Sequence, residues 1–393
     1  MTVTIATLPA DRESTYRHLE FVVTSDDADI ERMKALIAVD GTDLEKPIIQ
    51  DPDLGTTNQF TFDIHRILAG RVTFDLQTVN AGIWLTCSNS GLAYTVKFTE
   101  LLDSSAGLID GDDDTSASQR VNNATWQHED TDQDIATVYQ AVANRPTLTT
   151  APGKKLVGAS ESEFERYFMG NTVAMTVKMQ IKTFDVNGNA NGTFETVPTA
   201  NSFDLADWGA GPGNLNALTL AVGSQPVIGA ADFTYTTQLI ITAGGSGETF
   251  AINNYTVDHK CFKNETRFHF ENSLGATDSI TFTGRHAEGM KMRAKDFTQY
   301  LESGFAVQDR GRTELGIEAF EKFSVWSRIL KKTEARWLKE LYHSPAVFIQ
   351  NSDGNYVPII IINKNGWKID SAKPANQLKI DYIKANNLII QTN

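Results

Sequence analysis

The sequence predicts a mainly β fold: two successive β-sandwich-like domains, 1–155 and 156–285, followed by a smaller α+β domain, 286–393. Three observations carry this. Val173, Met175, Val177, Met179 and Ile181 alternate with polar residues, the period of a strand with one face on a core. Runs of this kind recur through the first 285 residues, separated by turns rich in Gly, Asn and Ser such as 244–247, which is the texture of sandwiches. Beyond residue 285 charged residues become denser, and 333–342 has the spacing of an amphipathic helix.

Taken in order, 17–23 alternates as a strand, and Phe60, Phe62 and Ile64 form another after the turn-rich 51–55. Asp63 is placed to accept a backbone N–H of one helical turn that Gly70 ends. Segments 83–87 and 94–98 read as two strands across the turn 88–91, whereas 31–39 fits either a strand or a helix. Residues 108–134 are acidic, with Asp110, Asp112, Asp113 and Asp114 and then Asp130, Asp132 and Asp134. Neither run has the sixth-position Gly and twelfth-position Glu of an EF-hand, so a solvated loop is expected. At 185–192 Ala190 stands where that glycine belongs and Thr196 where the glutamate belongs, so this is a hairpin loop. Further strands follow at 218–222, 233–242 and 250–257, and the glycine-rich 209–213 reads as a linker.

The stretch 262–285 joins the middle and C-terminal parts. Arg267 and His269 alternate with Phe268 and Phe270, placing His269 on a polar face; Asn272, Gly275 and Asp278 punctuate a turn, and Ile280 and Phe282 resume the alternation. That is a hairpin by period and turn chemistry. Its apolar residues are expected in the core of the middle sandwich, with Asp278 as a turn-former. In the C-terminal part Thr333 reads as the N-cap of a helix through 342, with Trp337, Leu338 and Leu341 on one face and Ser344-Pro345 as its stop. Strands at 346–350 and 356–362 follow. Pro358 implies that the second lies at a sheet edge or begins with an irregular residue, and an edge there offers a pairing surface. Leu378, Ile380 and Tyr382 close the pattern.

Composition excludes several functions. With 393 residues, 41% hydrophobic and 21% charged, the chain is of globular type and long enough for two or three domains. Its net charge of −14 and lack of a clustered basic patch argue against nucleic acid as the main partner. No apolar run spans a bilayer, and the N-terminal residues lack the pattern of a secretory signal. Cys87 and Cys261 belong to no metal or redox spacing and read as free buried thiols. The seven histidines form no HxH, HxxxH or HExxH pair, and no nucleophile elbow or phosphate loop is present. No catalytic, cofactor-binding or metal residue is therefore assigned, and no enzyme is expected. The six tryptophans read as core more than as sugar platforms.

One resemblance covers most of the chain. From Arg267 to Thr283 the sequence resembles a signature of uncharacterised virion proteins encoded in tail modules of Bacteroidetes phages and prophages, here carried by Phe268, Phe270, Asn272, Gly275, Asp278 and Phe282. Residues 60–68 (FTFDIHRIL), 122–126 (NNATW), 148–152 (LTTAP), 337–345 (WLKELYHSP) and 357–360 (VPII) resemble further segments of the same group, in the same order. His269, Glu271 and Ala276 depart from it. The resemblance implies a structural subunit of the virion, similar to distal-tail or baseplate proteins, that pairs with copies of itself in a ring and with other tail or neck proteins. It carries over no catalytic residue. The alternative is a receptor-recognition module that binds a host surface glycan.

Overall fold

Alternation becomes strand pairing along most of the chain, and the fold is mainly β with several sheets. This computed structural model describes residues 2–9, 13–44, 46–56, 58–76, 84–87, 89–104, 107–124, 147–158, 161, 163–169, 175–196, 203–204, 216–222, 231–243, 246–260, 264–301, 303–306, 311–351, 353–370, 375–386 and 389–392. Segments 130–134 and 209–213, Trp126, Trp208 and Cys261 lie outside them. The chain divides into two compact units, 1–259 with 272–277, and 260–271 with 278–393.

In the first unit Val3–Thr7, Glu20–Ser25 and Gln59–Asp63 form an antiparallel sheet. A larger sheet is built on Gly91–Leu102, which pairs with Ile30–Val39 on one side and with Gln119–Asn122 and Ile109–Thr115 on the other. Buried residues at every second position, Phe21 and Val23, Phe60 and Phe62, Met33, Ala35 and Ile37, and Tyr94, Val96 and Phe98, share one core. The rings of Phe21 and Phe62 lie 5.4 and 5.3 Å from that of Phe98. Such pairs add about 0.5–1.5 kcal/mol beyond simple burial.

Two expectations are corrected here. The acidic run is no loop: Ile109–Thr115 is a strand, and Lys34 and Lys97 neutralise Asp110 and Asp113 at 2.6 and 2.9 Å. Nor do the strands flanking 88–91 pair. Trp84–Cys87 joins Asn216–Val222 and Glu163–Met169 in another sheet, so segments assigned by sequence to the first and middle domains share hydrogen bonds. The ambiguous 31–39 resolves as the strand Ile30–Val39, because its alternating face reaches the core.

The rest of this unit is a sheet of Lys154–Gly158, Ser246–Asp258, Thr234–Ala243 and Met175–Phe184. Its 185–192 turn is organised by Asp185, whose carboxylate accepts the N–H groups of Asn187 and Asn189. A hairpin loop was expected, and Met175–Phe184 indeed continues through it to Glu195–Thr196.

The second unit is built on an eight-stranded sheet that includes Thr266–Glu271, Thr277–Phe282, Val347–Gln350, Tyr356–Ile361, Lys379–Lys384 and the long pair His286–Thr298 and Arg312–Trp326. The expected single helix is two short ones, Lys332–Trp337 and Lys339–His343. Thr333 is not the cap: Lys331 is, and the Glu334 carboxylate reaches back to the Lys331 N–H at 2.9 Å. Tyr356–Ile361 is not an edge either, since it pairs with Val347–Gln350 and with Lys379–Lys384. The hairpin strands 266–271 and 277–282 belong to this sheet and its core, not to that of the middle sandwich. No helix among the described residues is long and apolar enough to cross a membrane.

Candidate functional site

Four arrangements stand out from simple packing. The first is the signature hairpin. Phe268, Phe270 and Phe282 are fully buried, and the Phe268 ring meets those of Phe282 and Tyr382 edge-on at 5.1 and 5.8 Å. Asn272 shapes the turn as expected: its Oδ1 accepts the N–H groups of Leu274 and Ala276, and its Nδ2 donates to the Leu148 carbonyl at 2.9 Å. Gly275 adopts φ +74°, and its carbonyl accepts a hydrogen bond from the buried Arg166 guanidinium, which also donates to Ser90 Oγ. Asp278 departs from its expected role. It lies on the strand Thr277–Phe282 and accepts the Trp337 indole N–H at 3.1 Å. His269 is buried as well, with Nδ1 at 2.9 Å from Ser279 Oγ, because both faces of its strand are covered.

A second arrangement lies inside the first unit. Glu165 is buried and accepts hydrogen bonds from Thr237 Oγ1 (2.5 Å), Tyr255 OH (2.6 Å) and Tyr167 OH (2.5 Å). Burial pushes its carboxyl above the ordinary range, and the three hydroxyls pull it back only in part. Burial, together with the Glu165 charge, raises both tyrosines well above theirs. Beside it Lys155 pairs with buried Glu163. These groups satisfy one another within the core.

His18, Asp63 and His65 form a third, near the surface. His18 Nδ1 lies 2.5 Å from Asp63 Oδ2, and His65 Nδ1 lies 2.8 Å from Oδ1. Burial alone would raise the Asp63 carboxyl, but both imidazoles and the N–H groups of His65 and Leu19 hold it down at about 2. Asp63 does accept the first N–H of the helix His65–Ala69, as its position suggests. The histidines are far apart in sequence and match no metal spacing. The register that sets Glu20 opposite Asp63 brings them together.

The fourth is the pair His286–Thr298 and Arg312–Trp326, which runs in register along nearly its whole length. Among the described residues His286–Thr298 bonds to no other strand. Met290, Met292 and Phe297 along it are 54%, 63% and 52% exposed, and Tyr300 and Phe305 beyond its end are exposed too.

No protein-family model matches the chain. No curated protein matches it either. Among solved structures, one described as "Structural insight into host cell surface retention of a 1.5-MDa bacterial ice-binding adhesin" pairs with 98% of this chain and 97% of its own at 7% identity and a TM-score of 0.18. A likeness at that score supports no statement about fold or role.

The tryptophans with described side chains are engaged inside the protein. Trp337 donates to Asp278, Trp367 donates to the Ala335 carbonyl at 2.9 Å, and Trp326 is flanked by the cations of Arg285 and Lys379 at 5.4 and 5.1 Å. Cys87 is buried, as expected.

Proposed function

We propose that the chain is a structural subunit of a bacteriophage virion that assembles with copies of itself into a ring at the tail tip, baseplate or collar. The observation that carries the self-assembly is the strand His286–Thr298, which forms an open edge among the described residues. Charge along an unpaired edge of this length blocks indiscriminate strand addition, so its partner must answer that charge, and exposed Met290, Met292 and Phe297 add apolar area to be buried. The occupant is a second copy. Residues 285–298 carry Arg285, Lys291, Arg293 and Lys295 against Glu288 and Asp296, a positive excess in a chain of net charge −14. The strand Ile109–Thr115, where Asp112 and Asp114 stand beside the lysine-paired Asp110 and Asp113 and Gly91–Leu102 is the one strand partner among the described residues, supplies an edge of opposite sign. Unlike patches meeting head to tail close into a ring when the rotation allows. The placement in a virion rests on the ordered run of tail-module motifs in the sequence.

Native mass spectrometry of the pure protein and proteomics of purified particles test the reading. Wild type is expected as a closed oligomer and as a particle component. The double variant Met290→Glu, Met292→Glu is expected as a folded monomer, as circular dichroism checks, since exposed substitutions typically shift the stability of the chain itself by within about 0.5 kcal/mol. A wild-type monomer absent from particles overturns the proposal.

A further inference from the structure

We propose that His18, Asp63 and His65 form a binding site for a divalent transition-metal ion, with Zn²⁺ the ion their chemistry suits best. One ligand atom from each residue lies within 4.8 Å of the others, and the two imidazoles sit edge to face with centroids 5.1 Å apart. Two neutral nitrogens and a carboxylate oxygen are the donor set of open zinc sites. Imidazole selects such ions over Ca²⁺ and Mg²⁺, which prefer oxygen alone.

The backbone already holds this set in place. Asp63 ends the strand Gln59–Asp63, His65 begins the helix His65–Ala69, and His18 immediately precedes Leu19, whose carbonyl accepts the Ile64 N–H at 3.2 Å. The N–H groups of Leu19 and His65 donate to Asp63 Oδ1 at 3.1 and 3.2 Å. They orient the carboxylate as outer partners orient metal ligands. Metal–ligand bonds of about 2.0–2.1 Å imply tetrahedral ligand spacings of ~3.3 Å. The present 2.5 and 2.8 Å contacts therefore need to open by less than about 1 Å. The His18 side chain, 72% exposed, turns freely enough to do so. Solvent supplies the remaining position. An ion there ties the entry of Glu20–Ser25 to the exit of Gln59–Asp63, closing that end of the small sheet.

Competition titration of untagged, chelator-stripped protein with Zn²⁺ tests the site, with Co²⁺ absorption as a direct report on the ligands. Wild type is expected to take up one ion per chain, undisplaced by excess Ca²⁺ or Mg²⁺. Loss of a ligand in His18→Ala or His65→Ala is expected to weaken binding at least about tenfold and to abolish the visible Co²⁺ bands. His18 is largely exposed, so its alanine variant keeps the fold, as circular dichroism checks. Zinc uptake equal in wild type and His18→Ala marks adventitious binding at other histidines and overturns the proposal. So does a wild type that binds no zinc.

Discussion

At Gly275 two constraints meet. Its φ of +74° lies in the left-handed region, and a Cβ there would overlap the Asn123 carbonyl oxygen. Gly354 shares the first constraint, with φ +81°, but has only the end of the Gln350 side chain nearby, at 3.9 Å. The left-handed backbone alone costs an L-residue roughly 1–2 kcal/mol, so Gly354→Ala is expected to lose about that. Gly275→Ala must also displace backbone and is expected to lose at least about 3 kcal/mol; urea unfolding of both variants reads the difference. Glu165 makes a prediction about pH. Its folded carboxyl holds a proton above the ordinary range, so between the unfolded and folded values the folded chain binds more protons than the unfolded one. Its contribution to stability is therefore present at low pH and is lost as pH rises from the ordinary carboxylate range through the raised folded value. Glu165→Gln is expected to flatten that part of the profile. Parallel stability–pH curves for wild type and variant would refute the assignment.

Among the elements, the hairpin strand Thr277–Phe282 and the helix Lys332–Trp337 are tied through Asp278 and the Trp337 indole. Trp337→Phe removes the indole N–H together with part of the buried ring volume, at an expected cost of at least about 1.5 kcal/mol. A double-mutant cycle with Asp278→Ala checks that the loss is shared. The sequence signalled this pair only halfway. Trp337 reads as buried from its helical spacing, but nothing local distinguishes Asp278 from a turn residue. The same limit runs through the fold. Strands were legible from alternation, because burial of one face is written into consecutive residues. Partners were not: Trp84–Cys87 and Gly91–Leu102 are neighbours in sequence yet enter different sheets. Pro358 misled in an instructive way. The ladder to Lys379–Lys384 begins only at Ile359, so the missing N–H costs nothing on that side. At the His18–Asp63–His65 cluster the local signal was Asp-x-His at a strand end. The third member arrives through the pairing of Glu20 with Asp63, which no spacing rule contains.

On the scale of the whole molecule, charge and assembly are linked. If a positive edge in a chain of net charge −14 docks on an acidic edge of the next copy, screening opposes the encounter. Self-association is then expected to slow and weaken as salt rises, with most of the change at low salt, before the Debye length has fallen to about 10 Å; sedimentation velocity across a salt series measures it. Insensitivity to salt would leave the methionines and Phe297 as the main adhesive. The division of the chain also bears on synthesis. Residues 272–277 complete the first unit, with Asn272 on the Leu148 carbonyl and Gly275 against the Arg166 guanidinium, although they follow a passage of chain that belongs to the second. As the protein leaves the ribosome, the first 259 residues emerge with that buried arginine still lacking its carbonyl partner. The N-terminal unit therefore reaches its final state only after translation has entered the next unit, and a fragment ending at His259 is missing its own keystone.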